Sequence, residues 1–168
     1  MRKRIFTLAV LMAIAIFAKA ASLNATFGGG ILGVPWGATL TDVVGVYPQG
    51  DHVFAVTPGC RAYWVKDGQT FLGVPRDGHG VLFALDKSNR VGAASIAFDY
   101  ERKDELQAVL SSLFGPPMDP THSNGRFRYG WRSADGMTAY VNEFGEGTQR
   151  IVWLSVATPA YKSVKDGC

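Results

Sequence analysis

The three histidines have the widest chemical range of the side chains in this sequence, because an imidazole can bind a metal ion or act as a general base. Each follows an aspartate by one to three positions, as Asp51 with His52, Asp77 with His79 and Asp119 with His122. No two histidines have the spacing that would place both on one face of a helix or strand, so the sequence predicts no metal site. One catalytic alternative stays open, a small exported hydrolase in which polar loop residues converge in a pocket. Its candidates are Asp51, His52, His79 and His122.

Sequence motifs of common hydrolases are missing from the chain. It contains no G-x-S-x-G, H-E-x-x-H or S-x-x-K. Residues 28–33 match the dinucleotide-binding pattern G-x-G-x-x-G, but that pattern functions between a strand and a helix, whereas here no strand precedes it and Pro35 follows it. We therefore interpret residues 21–30 as a flexible lead-in, and we expect neither a catalytic residue nor a cofactor.

The first twenty residues have the organisation of a cleavable export signal. Basic residues 2–4 precede an apolar run over residues 5–17, and Ala18-Lys19-Ala20 offers small side chains at the two positions that a signal peptidase reads. The apolar run is shorter than the roughly 20 residues that span a bilayer, so we prefer a cleaved signal to an uncleaved amino-terminal anchor. The mature protein is expected to be periplasmic or secreted.

Cleavage after Ala20 changes the charge balance of the chain. The full sequence has 17 Lys and Arg against 14 Asp and Glu, a formal charge of +3. Four basic residues lie in the signal, at positions 2–4 and 19, so the mature part has 13 against 14 and a net charge of −1. A weakly acidic domain gives no support to nucleic-acid binding.

Two cysteines, Cys60 and Cys168, lie in the mature part. Because exported proteins meet an oxidising compartment, we expect these thiols to form a disulfide. The bridge would close a loop of about a hundred residues, for which chain entropy gives about 4–5 kcal/mol. In the alternative, Cys60 is a buried thiol and the end of the chain is flexible.

The stretch Arg126–Arg132 alternates aromatic and basic side chains. In a strand, this alternation puts Phe127, Tyr129 and Trp131 on one face and Arg126, Arg128 and Arg132 on the other. One interpretation is a half-buried strand with its charges in solvent. The other is a face that recognises carboxylates, on an acidic partner protein or an anionic envelope ligand.

Adjacent aromatic residues in a second strand support a binding role. Tyr63 and Trp64 are neighbours, so one of them must point away from the core, and exposed Trp and Tyr are typical anchors of protein interfaces. The alternative is that loops cover this second face. The candidate binding residues are Arg126, Arg128, Arg132, Tyr63 and Trp64.

Periodicity predicts two amphipathic helices, each followed by strands. Thr39 and Asp42 form a capping box ahead of the apolar residues Leu40, Val43, Val44 and Tyr47, and a second apolar stripe comprises Leu106, Val109, Leu110, Leu113 and Phe114. Strands are predicted at 52–57, 61–66, 80–86, 91–99, 126–132, 137–144 and 150–157. The short turns between them favour antiparallel hairpins. The fold class is therefore α+β, with two helices on one face of an antiparallel sheet, in one domain over residues 31–158 followed by a tail at 159–168.

Two stretches resemble a known kind of protein. Residues 33–43 (GVPWGATLTDV), closing in Tyr47-Pro48, and the later pattern Leu110-x-x-Leu113-Phe114-Gly115-x-Pro117 are similar to small exported α+β modules. These modules include β-lactamase-inhibitor-like proteins and outer-membrane assembly lipoproteins. The resemblance implies a binding or inhibiting scaffold without a cofactor. The chain lacks the acylated cysteine of the lipoproteins, so membrane anchoring is not implied.

The sequence thus favours an exported, non-catalytic binding module, an inhibitor or envelope accessory protein acting through an exposed sheet face. The hydrolase is the first alternative, and a self-associating structural subunit of the envelope is the second.

Overall fold

A computed structural model describes residues 21–54, 61–76, 78, 80–118, 121–123 and 126–161. Its helices are α1 (Leu23–Phe27), α2 (Leu40–Val46) and α3 (Lys103–Phe114), with short 3-10 turns at Tyr100–Arg102 and Gly147–Gln149. Its strands are β1 (Asp51–Phe54), β2 (Arg61–Lys66), β3 (Gly80–Leu85), β4 (Val91–Asp99), β5 (Thr121–Ser123), β6 (Arg126–Arg132), β7 (Thr138–Phe144) and β8 (Ile151–Ala157).

All eight strands form one antiparallel sheet in the order β1-β2-β3-β4-β8-β7-β6-β5. Two four-stranded meanders, one after α2 and one after α3, therefore meet at the central pair β4 and β8. This arrangement confirms the predicted α+β class and the order of helix, meander, helix, meander. An approximate two-fold axis passes between β4 and β8 and relates the two halves of the sheet. The residues alone did not make this symmetry evident.

The core lies between the helices and one face of the sheet. The predicted helical stripes point inward, since Val43, Leu106 and Leu110 are 0% exposed. They join the side chains that alternate inward along the strands, which are Tyr63, Val65, Val81, Phe83, Ala94, Ile96, Phe98, Trp131, Ala139, Val141, Val152, Leu154 and Val156. Burial of this apolar surface, at about 25 cal/mol per Å², holds the short helices in place.

Helix α2 begins with the predicted capping box. The backbone N–H of Thr39 donates to the Asp42 carboxylate at 2.8 Å, and the Asp42 N–H donates to Thr39 Oγ1 at 3.3 Å. The side-chain and backbone hydrogen bonds from Thr39 lower the pKa of the Asp42 carboxyl. Each end of the box satisfies a donor that the first helical turn leaves unpaired.

Two short elements differ from the prediction. Part of the expected flexible lead-in is helix α1, where Ser22 caps the first turn and Leu23 and Phe27 are buried. A three-residue strand, β5, occupies part of the expected loop after α3 and pairs with β6. Both elements are shorter than the windows on which periodicity depends, so packing against the rest of the domain decides them.

A repeated turn links the amino-terminal segment with the β2–β3 connection. The sequence Leu-Gly-Val-Pro occurs at 32–35 and again at 72–75, and each copy forms a tight turn closed by a β-bridge, Ile31 with Val34 and Phe71 with Val74. Leu32 and Leu72 both adopt positive φ, at 50° and 52°. The rings of Phe27 in α1 and Phe71 stack at 6.2 Å, so the second turn packs against helix α1.

Several sequence predictions concern residues outside the described ranges. The export signal over residues 1–20, the disulfide between Cys60 and Cys168, and the end of the first strand at 55–57 all remain predictions. Within the described part of the chain, no helix has the length and apolar character needed to cross a membrane.

Candidate binding surface on the open face of the sheet

The second face of the sheet carries none of the three described helices. We call it the open face and define it by the outward-alternating side chains of β2 to β4 and β6 to β8. Its central row, given by the strand register, is Trp64, Leu82, Ser95, Ser155, Tyr140 and Gly130. The five side chains in this row are partly exposed, and Gly130 is buried. The hydroxyls of Ser95 and Ser155 lie at the centre of the row, with Leu82 and Trp64 on one side and Tyr140 and Gly130 on the other.

Two tryptophans meet across the open face although three strand spacings separate their backbones. The rings of Trp64 on β2 and Trp153 on β8 approach edge to face, with centroids 5.6 Å apart and an interplanar angle of 60°. Such a contact contributes about 0.5–1.5 kcal/mol beyond the area it buries. Each ring restricts the orientation of the other, so the pair is an ordered feature of the surface.

Small residues on the intervening strands make this contact possible. Gly80 on β3 lies beside Trp64, and a Cβ added there would overlap the indole ring and approach the carbonyl of Val65. On β4, Ala97 pairs directly with Trp153 and is 1% exposed. Residues with larger side chains would occupy the space into which the two indoles extend.

The opposite half of the open face repeats this arrangement with tyrosine. Gly130 on β6 pairs with Tyr140 on β7, and a Cβ at Gly130 would lie 2.7 Å from the tyrosine ring. Tyr140 is half-buried. Aromatic rings that pack on cross-strand glycines lose little further freedom when a partner binds, which favours tight contact.

Among the side chains that the structure describes, those in the middle of the open face are neutral. Its charged residues among those described lie at the margin, with Lys66 and Asp51 near Trp64, Asp99 at the end of β4 and Arg132 on β6. The inner positions carry Ser95, Ser155, Thr138, Asn142 and several alanines. An apolar and aromatic centre with a charged rim is the usual anatomy of a protein interface.

No protein-family model, no curated protein and no solved structure matches the chain.

Of the predicted binding residues, the structure places Trp64 and Arg132 on the open face. Tyr63 lies on the other face, 2% exposed, and its hydroxyl donates to the carbonyl of Tyr47 at 2.9 Å. Tyr63 is therefore a core residue and is not part of the surface. Arg126 and Arg128 lie in β6, paired with Ser123 and Asn142, and their side chains fall outside the described part of the chain.

The residues of the hydrolase alternative are dispersed. His52 lies in β1 and His122 in β5, which are the two edge strands of the sheet. Seven strand spacings of about 4.8 Å separate them, or roughly 34 Å. Asp51 pairs with Trp64 at one edge and is exposed, and His79 lies outside the described residues. In the part of the chain that the structure covers, no group of three His, Cys, Asp or Glu residues could hold a metal ion.

Two charged clusters that the sequence did not reveal lie on the helix side of the sheet. Arg76 is 0% exposed and donates to the Asp67 carboxylate at 3.0 Å and to the Gln69 carbonyl at 2.6 Å. Glu143 is 3% exposed and pairs with Arg150 and with Lys103.

The second cluster also contains an aromatic ring. The Arg150 guanidinium lies 3.9 Å from the centre of the Tyr100 ring. Burial lowers the pKa of the Lys103 ammonium, but Tyr100 and Glu143 outweigh it, so that pKa is raised overall. The first cluster joins the end of β2 to the loop before β3, and the second joins β7 to the start of α3 and to the residue before β8, as expected of structural ion pairs.

Proposed function

We propose that this protein is an exported, non-catalytic binding module that recognises a partner protein through the open face. The observation that carries the proposal is the ordered Trp64–Trp153 pair, partly exposed at a neutral surface and supported by Gly80 and Ala97. Tryptophan and tyrosine in such positions dominate the binding free energy of protein interfaces.

The size of the face lies at the small end of protein interfaces. The six strands that define it, at about 4.8 Å each, and about six residues at 3.3 Å give an area of roughly 570 Å². One partner in a standard protein complex contributes about 800 Å². An inhibitor, or an accessory protein of the envelope, would use such a surface, and the predicted export signal places that role outside the cytoplasm.

The proposed disulfide between Cys60 and Cys168 agrees with an oxidising environment outside the cytoplasm. Tyr161, the last described residue, packs against Gly92 of β4, and Arg61, which follows Cys60, begins β2 two strands away. Two strand spacings amount to about 10 Å, a span that the seven residues after Tyr161 can cover. Mass measurement of the mature protein with and without reductant and a thiol-alkylating reagent tests the bridge.

A photo-crosslinking experiment tests the function. A photoreactive amino acid replaces Leu82 on the open face, or Val46 on the helix side as a matched control, and the exported protein is irradiated in its own envelope. We expect a defined protein adduct from position 82 that disappears when Trp64 or Trp153 is changed to alanine. Equal adduct yields from positions 82 and 46, or an adduct yield from position 82 that does not change in the tryptophan variants, would show that the open face is not the binding site.

A further inference from the structure

Two basic residues occupy related corners of the open face. Lys66 follows Trp64 by two residues on β2, and Arg132 follows Gly130 by two residues on β6. The approximate two-fold axis between Ser95 and Ser155 exchanges Trp64 with Gly130 and therefore also Lys66 with Arg132. Both basic side chains are exposed, and neither forms a salt bridge with another residue that the structure describes.

The acidic residues of the same face are placed differently. Asp99 is half-buried and already interacts within the protein. Asp51 lies on the edge strand β1, outside Trp64. Among the side chains that the structure describes on this face, the neutral central row is therefore flanked by one unpaired basic residue at each of two opposite corners.

The register sets the distance between these corners. Five strand spacings separate β2 from β6, or about 24 Å, and four residues along the strand direction add an offset of about 13 Å. Lys66 and Arg132 are thus roughly 27 Å apart across the central row. Opposite charges at the rim of an interface select the partner and its orientation, and they speed association.

Resting on the function proposed above, we infer that the partner is a protein whose contact surface is apolar in the middle and carries carboxylates at two points about 27 Å apart. The apolar part covers Trp64, Trp153 and Tyr140, and the carboxylates meet Lys66 and Arg132. A polyanion such as an acidic glycan fits less well, because its charges would run continuously over the neutral centre of the face.

Selection from a library of random 12-residue peptides tests this inference with a defined probe. Peptides are selected on the mature protein and counter-selected on the Trp64→Ala variant, so that only ligands of the open face remain. An extended peptide covers 27 Å in about eight residues. We expect the selected peptides to contain aromatic or aliphatic residues between Asp or Glu residues about eight positions apart.

Charge reversal gives the matched comparison. The Lys66→Glu and Arg132→Glu variants should each weaken binding of a selected peptide about three- to tenfold at low salt, and less at 0.5 M salt because screening is stronger. Lys87→Glu, a change of the same type in the exposed β3–β4 turn, should leave binding unchanged. Selection on the double variant should yield Lys and Arg in place of Asp and Glu.

Different outcomes separate this inference from the function on which it rests. The inference is wrong if the selected peptides depend on Trp64 but show no preference for acidic residues, or if they bind the two charge variants normally. Either result would still support the open face as a binding surface. If no selected peptide depends on Trp64 or Trp153, the proposed function fails, and the inference fails with it.

Discussion

Ser95 and Ser155 face each other across the central strand pair of the sheet, with their hydroxyl oxygens 2.8 Å apart. They lie where the first four-stranded meander joins the second, and both are half-buried on the open face. The same point is the approximate two-fold axis of the fold, so each serine occupies the position that corresponds to the other. The stability of this contact therefore measures how well the two halves of the chain pack together.

Removing either hydroxyl should weaken that junction. We expect Ser95→Ala and Ser155→Ala each to lower the free energy of unfolding by about 0.5–1.5 kcal/mol, since each leaves one hydroxyl without its partner. The double variant should lose less than the sum of the two single losses. Urea unfolding of all four proteins measures the coupling, and strictly additive losses would show that solvent already satisfies both hydroxyls.

Gly80→Ala should disturb the tryptophan pair without changing either tryptophan. The added methyl group would overlap the Trp64 indole and the Val65 carbonyl, so the indole must shift and its contact with Trp153 must change. Overpacking of this kind typically lowers the free energy of unfolding by about 1–3 kcal/mol. Near-ultraviolet circular dichroism should lose the signal of the coupled indoles.

Gly45→Ala provides the control for that substitution. Gly45 lies in helix α2 with nothing within 4 Å of an added Cβ, and its φ is not in the left-handed region. Alanine there should raise the free energy of unfolding by about 0.5–1 kcal/mol and leave the near-ultraviolet spectrum unchanged. A Gly80→Ala protein with wild-type stability and spectrum would mean that the indole does not rest on Gly80.

The elements that the sequence predicted well are those with long periodic patterns. Helix α3 matches the stripe from Leu106 to Phe114, and the capping box at Thr39 marks the start of α2. Six strands, β2 to β4 and β6 to β8, coincide with the predicted ranges to within one residue at each end. In these segments the local pattern and the tertiary fold agree, so the pattern suffices.

The candidate site was less predictable because it depends on register. Alternation shows that Tyr63 and Trp64 point to opposite faces but not which of them enters the core. The meeting of Trp64 with Trp153 depends on the order of four strands, which no local pattern contains. Likewise, the Pro75-Arg76 sequence is typical of an exposed turn, and only the packed loop around Asp67 makes Arg76 a buried residue.

The capping box of α2 predicts a pH dependence with a definite sign. Hydrogen bonds from Thr39 lower the pKa of Asp42 below its ordinary value of 3.8. The ionised carboxylate therefore stabilises the folded state at all pH values above 3.8, and this contribution disappears as the pH falls through the lower folded-state pKa. The Asp42→Asn variant should have a lower urea midpoint than wild type at pH 6, and the two midpoints should converge toward pH 2.

Thr39→Ala removes the other half of the box. Loss of the cap should lower the free energy of unfolding by about 1 kcal/mol and return the pKa of Asp42 toward 3.8. Carbon-13 titration of the Asp42 carboxyl in both proteins measures the change. An unchanged pKa in Thr39→Ala would contradict the assignment of the shift to these hydrogen bonds.

Changing one partner of the Asp67–Arg76 ion pair should lower the free energy of unfolding far more than replacing both partners with neutral residues. Arg76 is fully buried, and its Nη1 finds no hydrogen-bond partner in the described part of the chain. Arg76→Met would leave the Asp67 carboxylate, 8% exposed, with the N–H of Gln69 at 3.0 Å as its one remaining hydrogen-bond donor among the described residues. Removal of one partner from a buried pair typically lowers the free energy of unfolding by about 3–5 kcal/mol.

The neutral double variant Asp67→Asn with Arg76→Met should recover most of that loss, because no unpaired charge is then buried. Arg76→Lys separates charge from geometry, since an ammonium group keeps the charge but lacks the guanidinium fork that reaches both Asp67 and the Gln69 carbonyl. Urea unfolding at low temperature keeps even the single variants measurable. If the double variant proved as unstable as Arg76→Met, the loop would depend on the shape of the arginine side chain and its hydrogen bond to Gln69 rather than on compensation of the buried charge.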